Sequence, residues 1–171
     1  ELQGRDVTRY KISWNGKRWI SYGDWLAAPR KKEFFTEQRI LVREITNPSI
    51  FAAVTDKELY NDPAIIIIKD NPTFSLYSLL AILNSKLATF YHFNHSPKAT
   101  KGAFPKILVQ DIKDFPLPIM SEESITILDR LVDRILQAKE QSLSANTTDW
   151  ENQIDKLVYH LYGLTYNEVL I

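Results

Sequence analysis

Three lysines stand close together between residues 96 and 106, and ammonium groups at this spacing suit the binding of an anion. Lys98, Lys101 and Lys106 lie among Ser, Ala, Thr and Gly residues, whose small side chains let backbone amides approach a phosphate closely. An ordinary solvated loop would have the same composition, and the residues alone leave both interpretations open. The segment is therefore a candidate phosphate-binding loop.

A second basic cluster precedes two adjacent aromatic residues. Arg30, Lys31 and Lys32 are followed closely by Phe34 and Phe35. These cations are a second candidate site for phosphate groups. The alternative is a basic turn that core aromatic residues anchor to the domain.

Two arginines alternate on one face of a predicted strand and are followed by an asparagine. Arg39 and Arg43 carry guanidinium groups, whose planar fork matches guanine edges in a way that lysine cannot. Together with Asn47 they are candidates for contacts with DNA bases. They could equally pair with Glu37 and Glu44.

Residue patterns typical of catalysis are missing from the sequence. There is no cysteine, and none of the five glycines forms a Gly-x-Gly pair, which excludes thiol chemistry and glycine-rich cofactor loops. His92 and His95 have no third metal ligand nearby, so polar residues at a helix end explain them better. Asp111-Ile112-Lys113 imitates a nuclease motif but lacks its acidic partner. We expect a chain that is not an enzyme and holds no metal or cofactor.

The charge distribution along the chain supports an anionic partner. The 171 residues have zero formal net charge, but residues 1–110 carry +6 and residues 111–171 carry −6. A basic front part is typical of polyanion binding. The hydrophobic fraction of 44% is that of a globular protein. The lack of cysteine and of a long apolar run predicts a cytoplasmic location without a membrane.

The elements that must position these residues change their period near residue 75. An Asn15-Gly16 hairpin and strands at 39–45, 50–54, 64–68 and 106–109 are predicted before and after one long amphipathic helix over 75–94. Helices are predicted from Ser121, over 149–162 and from Thr165. The pattern predicts an α+β domain over 1–120, followed by a helical tail over 121–171. The tail would pack within the chain or against a partner.

Six segments, in order, resemble the TaqI-like C-terminal specificity domain. They are Gly4-Arg5-Asp6-Val7 with Tyr10, and residues 29–53, 60–69, 79–93, 96–107 and 115–119. This family occurs in type IIG restriction-modification enzymes and adenine-specific DNA methyltransferases. The resemblance implies a target-recognition domain with a mixed sheet, which binds double-stranded DNA and leaves catalysis to another domain.

The resemblance also implies partners beyond this chain. An upstream methyltransferase domain would bind S-adenosylmethionine, with or without a nuclease domain in the same polypeptide. The candidate residues are carried over only as positions in matching segments. We expect their cations to gather in one groove shaped for a double helix. The alternative function is an interaction module that docks a partner subunit through its amphipathic helices.

Overall fold

The structure, a computed structural model, describes residues 1–100 and 104–170. Within these residues, five strands form two small sheets, which are followed and covered by helices. The strands are β1 (Val7–Thr8), β2 (Lys11–Ile12), β3 (Arg39–Arg43), β4 (Ala52–Thr55) and β5 (Ile65–Lys69). The helices are a 3-10 turn (Gly4–Asp6), α1 (Glu33–Thr36), α2 (Leu76–Asn84), α3 (Lys86–His95), α4 (Pro97–Thr100), α5 (Val109–Lys113), α6 (Glu122–Gln141), α7 (Thr148–Leu161) and α8 (Tyr166–Val169). This architecture confirms the predicted α+β class.

The larger sheet has the order β4-β3-β5, and both pairings are antiparallel. The prediction of a mixed sheet is therefore wrong for the described strands, where parallel pairing is limited to an isolated Leu2–Asn61 bridge. β3 is central because both its faces are apolar. Ile40 and Val42 belong to the main core, and Leu41 belongs to a smaller cluster on the other face. β5 lies at one edge of the sheet, and Ile65 is the one residue of this strand that is fully buried.

The long helix predicted over 75–94 is interrupted at Ser85. The backbone of Ser85 is extended, and its hydroxyl accepts a hydrogen bond from the amide of Ala88 at 3.1 Å. This serine therefore caps a new helix, α3. The side chain of Asn84 bonds both backbone groups of Ala52 on β4, at 3.1 and 3.0 Å. These bonds fix the end of α2 against the sheet.

The first hairpin turns at Arg9-Tyr10 rather than at the predicted Asn15-Gly16. Tyr10 has a φ of 60°, and its side chain is 2% exposed in the main core. Burial of this ring sets the hairpin register, whereas Gly16 turns in an exposed loop. The strand predicted at 106–109 is reduced to a bridge between Ile45 and Lys106, and α5 follows it.

Helices α6 and α7 complete the main core. Their apolar stripes pack against α2 and share one cluster with the sheet residue Ile40; the fully buried members are Leu128, Leu131, Val132, Ile135, Ile154 and Val158. The opposite charges of the two parts also meet here. Arg9 pairs with Glu151 at 2.6 Å, and Lys86 pairs with Asp155 at 3.4 Å.

The end of the tail follows the predicted signals. Gly163, with a φ of 69°, follows α7, and the predicted capping box of Thr165 and Glu168 begins α8. Within residues 1–100 and 104–170, no helix has the length and apolar character needed to span a bilayer.

Candidate nucleic-acid interface

Arg39 is a structural residue at the beginning of β3. Its side chain is fully buried, and its guanidinium donates to the carbonyls of Glu37 at 2.7 Å, Lys57 at 3.1 Å and Leu59 at 3.0 Å. Burial lowers the pKa of this guanidinium, and nearby Asp56 opposes the shift. The prediction that Arg39 contacts a base is wrong, because its donors are aimed at the protein's own backbone.

The carboxyl end of β3 carries most of the other predicted residues. We call this region the lysine face and define it by Arg43, Asn47, Lys98 and Lys106. The segment after β3 pairs with the segment around Lys106, through Thr46 N to Pro105 O at 3.0 Å and Ile107 N to Glu44 O at 2.9 Å.

A further backbone bond joins the two lysines of the lysine face. The amide of Lys106 donates to the carbonyl of Lys98 at 3.1 Å. Backbone pairing therefore brings together chain segments that are distant in sequence and that carry these cations. Lys101 lies outside the described residues.

The side chains of the lysine face differ in their exposure to solvent and in whether they contact another side chain. Lys98 and Asn47 are exposed, whereas the ammonium of Lys106 pairs with Glu44 at 3.0 Å. Arg43 is half-buried, and its guanidinium carbon lies 5.0 Å from the ring centroid of Phe51. The Phe51 ring therefore supports the guanidinium of Arg43 from one side.

Polar contacts among α3, α5 and the neighbouring segments hold the backbone of the lysine face in position. The hydroxyl of Thr46 lies 3.0 Å from Nε2 of His92, and burial lowers the pKa of this imidazole. Asp111 accepts from the Ser96 hydroxyl at 3.0 Å and from the Leu108 amide at 2.7 Å. These bonds join α3, α5 and the segment that follows β3 to one another. Within residues 1–100 and 104–170, no three His, Asp or Glu side chains converge as metal ligands would.

The second basic cluster sits on a group of packed rings at the amino end of β3. We call it the aromatic corner and define it by Tyr22, Phe34, Phe35 and Tyr60 with Arg30, Lys31 and Lys32. Tyr22, Phe35 and Tyr60 pack with centroid distances between 4.5 and 5.1 Å. The structure therefore shows the anchored basic turn of the alternative interpretation, and its cations still face outward.

The cations of the aromatic corner have mixed partners. The Arg30 guanidinium carbon lies 6.0 Å from the Phe34 ring centroid. Lys32 pairs with Glu58 at 3.5 Å. Both partners in this pair are exposed, so the pair holds the ammonium only weakly. Lys31 is exposed.

The predicted cations thus form two groups rather than one cluster. β3 has five residues, and at the usual rise per residue its ends lie about 13 Å apart. The lysine face lies at one end and the aromatic corner at the other. The expectation of a single groove is replaced by two separate basic sites.

Sequence reasoning missed two features of this surface. Lys69 lies opposite Arg39 across the sheet, with its ammonium 5.2 Å from the Phe34 ring centroid and 3.1 Å from Glu37. Strand register decides this placement, and no local pattern signals it. The exposure of Trp19 and Trp25 was also unforeseen, although their position among basic residues was visible in the sequence.

Comparison with known proteins identifies the family. The model of the TaqI-like C-terminal specificity domain matches residues 1–117, and the chain belongs to this family.

A curated relative comes from Methanocaldococcus jannaschii and is named "Putative type II restriction enzyme and methyltransferase". It is 26% identical over 138 residues, which cover 75% of this chain and 11% of the relative. The chain thus spans about a ninth of the length of this relative.

Proposed function

We propose that this chain is the DNA target-recognition domain of a restriction-modification enzyme. The observation that carries this proposal is the family match over residues 1–117. The two basic sites at the ends of β3 support it, because each presents cations suited to phosphate groups. The buried apolar stripes of α6 and α7 do not favour the alternative of a docking module.

Within this function the lysine face contacts DNA most closely. Lys98 and Lys106 bind phosphates and fix the position of the duplex. Arg43 and Asn47 contact base edges in the major groove, where a guanidinium suits guanine and an amide suits adenine. The Phe51 ring beside the Arg43 guanidinium supports this role, because a side chain that already packs on the protein loses less entropy on binding.

The aromatic corner supplies further phosphate contacts. Arg30, Lys31 and Lys32 would bind the backbone about a strand length away from the lysine face. Since Arg39 is buried, it contributes by holding β3 in place. Contacts at both ends of β3 would fix the orientation of the domain on the duplex.

The parent protein that we propose is a type IIG restriction-modification enzyme or an adenine-specific DNA methyltransferase. Its methyltransferase domain would bind S-adenosylmethionine outside this chain and carry out catalysis. The name of the relative supports this class, and the chain spans only 11% of that relative.

Selection from a random duplex library tests the proposal directly. The chain of residues 1–171 should enrich one short sequence, and binding to it should survive an excess of random DNA. With six phosphate contacts, affinity should fall roughly a thousandfold between 50 and 200 mM salt. A matched control is Lys156→Ala on α7, an exposed lysine of the acidic tail, which should bind like the unmodified chain. Selection without enrichment, together with salt-independent binding, would contradict the proposal.

A further inference from the structure

Two tryptophans project from the surface between β2 and α1. The side chains of Trp19 and Trp25 are 79% and 70% exposed. Indole rings are among the largest apolar groups in proteins and are usually buried or in contact with a partner. Each of these rings therefore has surface available for a ligand.

Both rings are nevertheless supported on one side. Trp19 packs edge-to-face on half-buried Trp14, with centroids 5.3 Å apart and an interplanar angle of 77°. Trp25 lies across Gly23, where an added Cβ would come within 2.2 Å of the ring. The indole N–H of Trp25 also donates to the carbonyl of Ser21 at 3.3 Å. These contacts orient the rings before any ligand arrives.

The segment that carries the rings is tied to the domain at both ends. The backbone nitrogen of Glu1 donates to the carbonyl of Arg18 at 2.6 Å, and Arg18 pairs with Asp6. The ring of Tyr22 packs on that of Tyr60, with centroids 4.5 Å apart, and its hydroxyl accepts from the amide of Arg30 at 2.6 Å. The two indoles are thus presented by an anchored loop.

The charge around the rings indicates the kind of partner. Residues 13–32 contain five basic side chains and one acidic side chain, Asp24; two of the five pair with carboxylates outside the segment, Arg18 with Asp6 and Lys32 with Glu58. Lys17, Arg30 and Lys31 are exposed. A partner that offers negative charge and flat apolar faces together fits this surface, and the sugar-phosphate backbone with its bases has both.

From this juxtaposition we propose that Trp19 and Trp25 stack on unpaired bases of the bound DNA. This inference rests on the proposed function and adds a second binding mode to it. Paired bases hide their faces within the helix, so the ligand is duplex DNA with at least one base out of the stack. The neighbouring cations hold the phosphates on either side of that base.

Binding to three labelled DNAs tests the inference. They are a fully paired duplex, the same duplex with one bulged base, and the single strand, and fluorescence anisotropy measures affinity. We expect tighter binding to the bulged duplex than to the paired one. Trp19→Ala and Trp25→Ala should each weaken binding to the bulged duplex about tenfold. The slope of affinity against salt should stay unchanged, because neither substitution removes a charge.

Matched variants separate stacking from general damage. Tyr166→Ala removes an aromatic ring that is 77% exposed on α8, in the acidic tail, and should bind all three DNAs normally. Trp19→Phe and Trp25→Phe keep an aromatic face and should retain most of the affinity for the bulged duplex. Circular dichroism of each variant verifies the fold.

The possible results distinguish this inference from the proposed function. If both alanine variants keep the unmodified preference for the bulged duplex, stacking is refuted, while DNA recognition stands. Equal affinity of the unmodified chain for the paired and bulged duplexes would refute it as well. If the unmodified chain binds no duplex at all, the proposed function fails and this inference fails with it.

Discussion

Both ends of β3 carry an arginine, and the two arginines have different roles. At the amino end Arg39 is buried, and its donors satisfy three backbone carbonyls. At the carboxyl end Arg43 is half-buried beside Phe51. Arg39 stabilises the fold, and Arg43 is placed to contact a ligand. Three residues of strand separate a structural cation from a candidate recognition residue.

The surroundings of the two ends differ in the same way. Backbone hydrogen bonds place Lys98 and Lys106 on the lysine face, whereas ring packing places Lys31 and Lys32 on the aromatic corner. The lysine face also carries Asn47, whose amide can bond a base edge, whereas the proposed contacts of the aromatic corner are all cations. Sequence-specific contacts are therefore expected at the lysine face, and contacts common to all sequences at the aromatic corner.

Arg39→Ala should have the largest effect, and it should be on stability. The substitution removes a fully buried side chain and leaves three part-buried carbonyls without their charged donor, which should lower the free energy of unfolding by about 3 kcal/mol. Urea denaturation measures this change. Arg43→Ala is the matched control and should lower it by less than about 1 kcal/mol. Equal losses for both variants would remove the proposed difference between the two ends.

Arg43→Ala should have the next largest effect, and it should be on sequence preference. Loss of one bidentate base contact costs about 1–3 kcal/mol of discrimination at a single base pair. Repeating the library selection with the variant should show relaxed preference at one position and unchanged preference elsewhere. Uniform weakening across all sequences would place Arg43 among the phosphate contacts instead.

Lys98→Ala and Lys31→Ala show whether both ends bind the same duplex. Each should reduce the salt slope of binding by about 0.9 and weaken affinity by up to about 1 kcal/mol, without changing the selected sequence. The double variant should lose about 1.8 in slope. If Lys31→Ala alone leaves the slope unchanged, DNA contacts are confined to the lysine face.

Glu44→Gln should have the smallest effect, and it should strengthen DNA binding rather than weaken it. It removes the carboxylate that pairs with Lys106 at 3.0 Å, which frees the ammonium for phosphate. Affinity for duplex DNA should rise by about 0.5 kcal/mol at low salt. Glu58→Gln at the aromatic corner is the comparison variant; because Glu58 holds Lys32 only weakly, at 3.5 Å, it should raise affinity by less. Weaker binding by the Glu44 variant would show that the Glu44–Lys106 pair positions the loop.

Regular elements with a strong period were predicted well from the sequence. α6, α7 and the three strands of the larger sheet lie within a few residues of their predicted bounds. The errors fall where one side chain overrides a local pattern. Ser85 caps a new helix within an apolar period, and the buried Tyr10 moves the hairpin turn away from Asn15-Gly16.

The candidate site was predicted only as a set of residue types. The sequence placed Lys98 and Lys106 in one loop, but it could not show that this loop pairs with the segment after β3. Nor could the sequence distinguish Arg39 from Arg43, because both lie on the same face of the predicted strand. Arg39 is buried because the β4–β5 connection brings the carbonyls of Lys57 and Leu59 within reach of its guanidinium.

By itself the sequence determined the α+β class, the acidic helical tail and the segments that mark the family, because each depends on local period or composition. The tertiary structure decided which cations lie together, which one is buried and which carboxylates pair with them. Such contacts join residues far apart in the chain. Arg9 meets Glu151 and Lys106 meets Glu44 only after the sheet and helices have packed.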